Sequence, residues 1–254
     1  MIGYKTFGTG PEHVLVMHDW FCDCTSYSPV LPYLDGKAFT YVFADLRGYG
    51  KSKTISGEFT VGEASRDVLQ LCDSLKWDRF HVVGHSMSAM VAQYVAMKAT
   101  DRVKSVICIT PVPACGSPAP ANMMSFLEDA ARSNDSGARQ VVGFMTGGRQ
   151  GEGFVNFKVQ KWRDCSTPEA RVAYLHMFAE TDFSDQVQGL QVPFFVVVGA
   201  HDAEGHSEAV MNKTFMQWYP HCTVEVLQNT GHYPMQETPV YLATVLEKFL
   251  GEQK

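Results

Sequence analysis

One stretch constrains this chain more than any other: Phe80-His81-Val82-Val83-Gly84-His85-Ser86-Met87-Ser88-Ala89-Met90-Val91-Ala92. An apolar run of strand type stops at Gly84, a single serine follows two residues later, and a run of helical type begins directly after it. Such a strand-turn-helix corner holds its serine clear of the sheet, and the amide of the next residue, Met87, opens the helix. Close passage of the chain asks for small residues two before and two after the serine. Gly84 meets the first requirement, and Ser88 stands where a second glycine is usual. A Gly-x-Ser-x-small match alone is a weak signal; the strand and helix around it give it weight.

Length and composition allow a full domain around that corner. At 254 residues with 45% hydrophobic side chains, the chain can bury a large core as one domain, or as one domain carrying an insertion. Strands are predicted at 2–7, 13–17, 40–44, 80–84, 103–109, 194–199 and 223–227, where apolar runs lie between turn signals. Helical patterns fall between them. Thr60 and Glu63 form a capping-box signature ahead of the stripe Ala64, Val68, Leu71, Cys72 and Leu75. Residues 26–34, 87–99, 207–218 and 239–249 also have helical spacing. Strands that alternate with helices become parallel neighbours joined by crossovers, so the expected fold is α/β, a mostly parallel open sheet flanked by helices. The alternation lapses once. Residues 114–190 hold only helical pieces, at 120–133, 137–146, 153–163 and 168–180, which predicts an all-helical insertion into a core made of 1–113 and 191–254.

A formal charge of −6 and the lack of a Lys/Arg cluster argue against nucleic acid or an anionic membrane as partner. The expected partner is a small, neutral or apolar molecule, with the protein a monomer or homodimer. No window nears the roughly 18 apolar residues of a membrane helix, and Met1-Ile2-Gly3-Tyr4-Lys5 lacks the apolar core of a secretory signal. A soluble, cytoplasmic protein is therefore expected. Seven cysteines, an odd number, are then read as free thiols. Cys22 and Cys24 stand near His18, yet no second Cys/His cluster has ligand spacing, so neither a metal nor another cofactor is expected.

A serine hydroxyl becomes a nucleophile only when a base takes its proton and a third group orients that base. Asp202, in Gly199-Ala200-His201-Asp202, and His232, in Gly231-His232-Tyr233-Pro234, each follow the carboxyl end of a predicted strand. In an open parallel sheet those ends line one crevice, so Ser86, Asp202 and His232 are expected to converge, in the chain order Ser, Asp, His. Taken singly, a loop Gly-His or a loop Asp is more often solvated or structural. Their joint occurrence in the required order is what points to a triad. The preceding strand end offers Thr110 and Pro111, neither a carboxylate. Donors for a tetrahedral oxyanion are expected from the Met87 amide and, in the loop after Met17, from the Trp20 amide, with the Trp20 indole facing the pocket.

The markers His18-Asp19-Trp20, Asp45-Leu46-Arg47-Gly48-Tyr49-Gly50-Lys51-Ser52, the corner at Ser86, Asp202 and Gly231-His232 together resemble the α/β-hydrolase superfamily, specifically its single-domain members with a helical cap. The resemblance covers essentially the whole chain. It implies a serine hydrolase of a small, largely apolar or aromatic ester, lactone or related carbonyl compound, bound beneath the cap and needing no cofactor. Asp19, His85, Met123, Phe144, Trp162, Met177 and Tyr233 are candidate pocket residues, although most large apolar cap residues serve equally well as packing. The Asp45–Ser52 loop is structural in that family, so Asp45 and Arg47 are assigned no chemistry.

Three departures stand out. Asp19 replaces the usual glycine after His18, which sets a carboxylate beside the oxyanion donors, unfavourable unless it is paired or turned away. Ser88 replaces the last corner glycine, and the family's usual first strand is missing. His-Asp-Trp also carries the aspartate nucleophile in haloalkane dehalogenases; here it follows an early strand, Phe21 stands after it, and Ser86 holds the nucleophile position. Two further readings keep the fold. Cofactor-free dioxygenases that open a 3-hydroxy-4-oxoquinoline-type ring use the His-Asp pair as base, and Trp20 followed closely by Cys22 is similar to their oxyanion loop. Plant hormone receptors and a bacterial stress regulator resemble the chain in size and four-helix cap, which implies a small-molecule receptor or signalling protein that retains the triad.

Overall fold

The computed structural model describes residues 1–253. Seven strands form one sheet: β1 (Tyr4–Phe7), β2 (Glu12–Met17), β3 (Phe39–Ala44), β4 (Phe80–His85), β5 (Val103–Ile109), β6 (Phe194–Gly199) and β7 (Cys222–Leu227). Their order is β1-β3-β2-β4-β5-β6-β7, with every neighbour parallel except β1, which runs antiparallel to β3 at one edge. The inner strands carry apolar runs because both of their faces are covered. Val14, Leu15 and Met17 of β2, Val82 of β4, and Val106 and Ile107 of β5 have no exposed surface.

Flanking the sheet are α1 (Val61–Ser74) and α2 (Met87–Lys98). Between β5 and β6 the chain leaves the sheet for α3 (Ala121–Arg132), α4 (Asp135–Met145), α5 (Glu152–Cys165), α6 (Pro168–Glu180) and the short α7 (Ser184–Val187). We read 114–190 as a cap on the core of 1–113 and 191–254. The remaining helices are α8 (Glu208–Lys213), α9 (Phe215–Trp218), α10 (Pro234–Glu237) and α11 (Pro239–Glu252). None of the described helices is long and apolar enough to cross a membrane.

The topology positions the site. After β2 the chain adds β3 on one side and then β4 on the other, so strand order reverses where Met17 pairs with Gly84. A crevice opens at the carboxyl ends of strands flanking such a reversal, and residues 18–21 and Ser86 come from its two walls.

Two helical expectations are corrected locally. Residues 26–34 form no α-helix but two 3-10 turns, Cys24–Tyr27 and Leu31–Tyr33, because Pro29 and Pro32 lack the N–H donors a continuous helix needs. The helix expected over 207–218 breaks into α8 and α9 at Thr214, whose hydroxyl donates to the Val210 carbonyl at 2.8 Å and competes with the helical ladder. At α1, Thr60 Oγ1 accepts the Glu63 N–H at 3.2 Å as expected, while Glu63 reaches back to the Phe59 N–H at 2.8 Å.

Candidate active site

Ser86 sits between β4 and α2 with φ +56° and ψ −117°, a conformation that costs a non-glycine residue about 1–3 kcal/mol. The surroundings enforce it. A Cβ on Gly84 would lie 2.3 Å from the Ser88 carbonyl oxygen, so only glycine lets α2 begin this close to β4. Ser88 Oγ accepts the His85 N–H at 2.9 Å and donates to the His85 carbonyl at 3.0 Å. Serine in place of the usual glycine thus ties the corner by hydrogen bonds, and its position inside α2 asks for no positive φ.

The loops after β6 and β7 bring Asp202 and His232 to the same rim. They approach backbone to backbone: a Cβ on Gly199 would lie 2.1 Å from the Gly231 carbonyl oxygen. His232 Nδ1 lies 2.8 Å from Asp202 Oδ2, and His232 Nε2 lies 2.8 Å from Ser86 Oγ. A carboxylate can only accept, so Nδ1 carries the proton and Nε2 is left to accept the serine hydroxyl proton. The backbone of His232 is fixed as firmly as its ring. Its N–H donates to the Met145 carbonyl at 3.0 Å, and its carbonyl accepts from His85 Nε2 at 2.7 Å and Thr110 Oγ1 at 3.1 Å. His206 packs edge-on to His232 with ring centroids 4.6 Å apart and donates from Nδ1 to the Pro111 carbonyl at 3.0 Å. Burial, then the nearby His232, push the His206 imidazole below its ordinary value, so it is the neutral form that faces the cavity.

The loop after β2 is pinned from several sides. His18 Nδ1 donates to the Asp19 carbonyl at 2.7 Å, while its Nε2 accepts the Leu46 N–H at 3.1 Å. Tyr49 Oη donates to the Trp20 carbonyl at 2.8 Å, and the Trp20 indole, which lines the cavity, donates to the Arg171 carbonyl at 2.8 Å. Asp19 is turned inward. Its Oδ2 meets the Lys158 ammonium of α5 at 3.2 Å, both side chains being out of water. Burial alone would push the Asp19 carboxyl up; the Lys158 ammonium holds it below its ordinary value. Opposite this loop the Met87 N–H, at the first position of α2, has no intrahelical acceptor. Asp45 and Arg47 are structural: Asp45 accepts the Cys24 and Lys51 amides at 2.7 and 2.8 Å, and Arg47 forks onto Asp67.

Above Ser86 lies a cavity of about 420 Å3, roofed by α3, α4 and α6. Asp19, Met123, Phe144 and Tyr233 of the candidate pocket residues line it, and three do not. His85 is fully buried beneath His232, whose carbonyl it holds. Trp162 is also fully buried, stacked on Phe21 at 3.9 Å and edge-on to Trp20 at 4.7 Å, so it backs the lining without reaching it. Met177 packs into the core, because α6 turns Leu175 and Phe178 to the cavity instead. Met124, Leu127 and Val141, on the same helical stripes as Met123 and Phe144, also line the space, as does Phe178. Lys158 was missed as well. Its signal was present: Val155, Lys158, Val159 and Trp162 recur at the spacing of one buried helix face.

All seven cysteines are free thiols. Burial raises those of Cys22, Cys72 and Cys222 to about 12, away from reactivity at neutral pH. Among the described residues, two groups bring metal-ligand atoms within 4.8 Å of one another: Asp202, His206 and His232, and Asp23, Cys24 and Asp45. In the first, His232 Nδ1 and Asp202 Oδ2 are engaged with each other; in the second, both Asp45 oxygens accept backbone N–H groups.

Residues 12–239 match the alpha/beta hydrolase fold family, and the chain belongs to it and is an enzyme of that family. A pimeloyl-[acyl-carrier protein] methyl ester esterase from Aeromonas hydrophila subsp. hydrophila is 22% identical over 261 residues, covering 98% of this chain and 99% of its own. The dihydrolipoyllysine-residue acetyltransferase component of the acetoin cleaving system from Cupriavidus necator is 34% identical over 111 residues. That match takes in 44% of this chain and 29% of the relative, so the chain spans under a third of that protein. Of solved structures, a bromoperoxidase from Bacillus anthracis superposes with a TM-score of 0.85 at 18% identity, covering 98% of this chain and 94% of its own. A likeness at that identity speaks for the fold alone.

Proposed function

We propose that this enzyme hydrolyses small, largely apolar esters or lactones through an acyl-enzyme on Ser86. The hydrogen-bond chain Asp202–His232–Ser86, 2.8 Å at each link, is the observation that carries the reading. As Ser86 Oγ attacks the carbonyl carbon, His232 Nε2 takes its proton, and Asp202 stabilises the imidazolium. That proton then goes to the leaving alkoxide, and a water activated by His232 releases the acid. The Met87 and Trp20 amides hold the oxyanion, each such donor contributing about 3–4 kcal/mol. The apolar side chains of α3, α4 and α6 take the body of the substrate, in keeping with a site of this volume.

Similarity to a methyl ester esterase supports the ester class. The direct Ser86–His232 bond favours a serine nucleophile over a His-Asp base acting alone on a heteroaromatic ring. The test is turnover of p-nitrophenyl esters and lactones by the wild type and Ser86→Ala, with oxygen consumption followed in parallel. The reading predicts a kcat at least about 10⁴-fold lower in the variant, with no oxygen taken up by either. Equal turnover by both proteins, or oxygen uptake coupled to turnover, overturns it.

A further inference from the structure

The loop assigned one oxyanion donor also carries a carboxylate. Asp19 directly precedes Trp20 and lines the same cavity as Ser86 and His232. A negative charge there opposes the charge that develops on the attacked carbonyl oxygen. Water does little to screen it, since the Asp19 side chain is only 2% exposed.

Lys158 is the one cation placed against Asp19 among the described residues, its Nζ 3.2 Å from Oδ2. His85 does not act as a second, although its Nδ1 lies 3.7 Å from the same oxygen. Burial pushes the His85 imidazole down to about 3, and the single proton of the neutral ring sits on Nε2, donated to the His232 carbonyl. Asp19 Oδ1 has no hydrogen-bond partner among the described residues. Lys158 comes from the buried stripe of α5, has no exposed surface, and lies 3.8 Å from the centroid of the Tyr233 ring, next in sequence to His232. Taking an ammonium this far from water is costly without a partner, and stability alone is a poor reason for it, since an apolar pair of similar size often does as well. The placement of the pair, between the oxyanion loop and the cap, supplies another reason.

We propose that Lys158 is a positioning residue of the hydrolytic reaction: acting through Asp19, its ammonium cancels the carboxylate charge beside the oxyanion site. The inference rests on the serine-hydrolase reading above. It makes the cap a supplier of charge to the chemistry as well as a cover for the substrate.

The test compares Lys158→Met, Lys158→Gln and the double variant Lys158→Met/Asp19→Asn on one p-nitrophenyl ester. The readouts are kcat, KM and the pre-steady-state burst of p-nitrophenol, with folding checked by near-ultraviolet circular dichroism. In Lys158→Met, kcat and burst rate should fall about 30-fold with KM nearly constant, the size expected of one uncompensated charge roughly 8 Å from the oxyanion at an effective dielectric near 20. Lys158→Gln can still donate an N–H to Asp19 but carries no charge. It should fall similarly, and it replaces the methionine variant if that one does not fold. Removing the Asp19 charge as well should bring kcat back to within about fivefold of wild type. A merely structural strap predicts the reverse: Lys158→Gln would keep its kcat, and the double variant would do no better than the single one. Either result, or wild-type kcat in Lys158→Met, overturns the inference. Ser86→Ala in the same assay separates the two claims. Activity surviving there removes the serine reading itself, whereas an inactive Ser86→Ala beside indifferent Lys158 variants removes only the inference.

Discussion

The floor and the roof of the crevice are built on opposite principles. On the floor, at the carboxyl edge of the sheet, directed bonds hold everything: His232 is engaged at both ring nitrogens, at its amide and at its carbonyl. Over it, α3, α4 and α6 present apolar side chains with few directed bonds, and Met123 and Phe144 at the edge of the cavity remain 46% and 67% exposed. Reacting groups lose about 100-fold in rate for a 1 Å misplacement. Methionine-rich apolar surface adapts to what it touches. On the proposed reading chemistry belongs to the floor and selection to the roof, and Lys158, on the cap helix α5, serves the floor by its charge.

The hardest blow to this contrast would come from Asp202→Asn. The Asn amide leaves the shape of the floor intact but reverses the tautomer of His232, so kcat should fall by about 10⁴-fold in steady-state assays. A loss of tenfold or less would mean that orientation by Asp202 is not what the floor provides. Next in size is Trp162→Ala. Removing a side chain with no exposed surface, packed between Phe21 and Trp20, should lower unfolding stability by about 3–5 kcal/mol in urea titration. If stability holds and only KM rises, Trp162 belongs to the lining after all. Smallest is Phe144→Ala at the rim, which should raise KM for an apolar ester by roughly threefold, as expected for an exposed ring that covers little of the ligand. A deep loss of kcat there would erase the distinction between floor and roof.

Much of the floor was legible in the residues because it depends on short-range signals. Strands buried on both faces carry apolar runs, and a parallel sheet gathers their carboxyl ends, so Ser86, Asp202 and His232, each just past such an end, could be expected on one rim. The roof was less legible. A helical stripe shows which side of α6 is apolar, but not that Met177 faces the core while Leu175 and Phe178 face the cavity. Trp162 and His85 show the same limit: both are large buried residues near the site, and only long-range packing decides that they back it. Lys158 was hardest. A lysine in a helix is ordinarily solvated, and its burial follows from Asp19, 139 positions away in the chain. Where local chemistry competed with periodicity, at Pro29, Pro32 and Thr214, the local effect prevailed and shortened the helices.

Acid-quenched mixtures of the wild type and an activated ester, digested and weighed by mass spectrometry, interrogate the nucleophile most directly. A single acyl group should appear on the peptide containing Ser86, build up at the rate of the p-nitrophenol burst, and be absent from Ser86→Ala. An acyl group on another residue, or product released with no acylated protein at any time, would contradict the account.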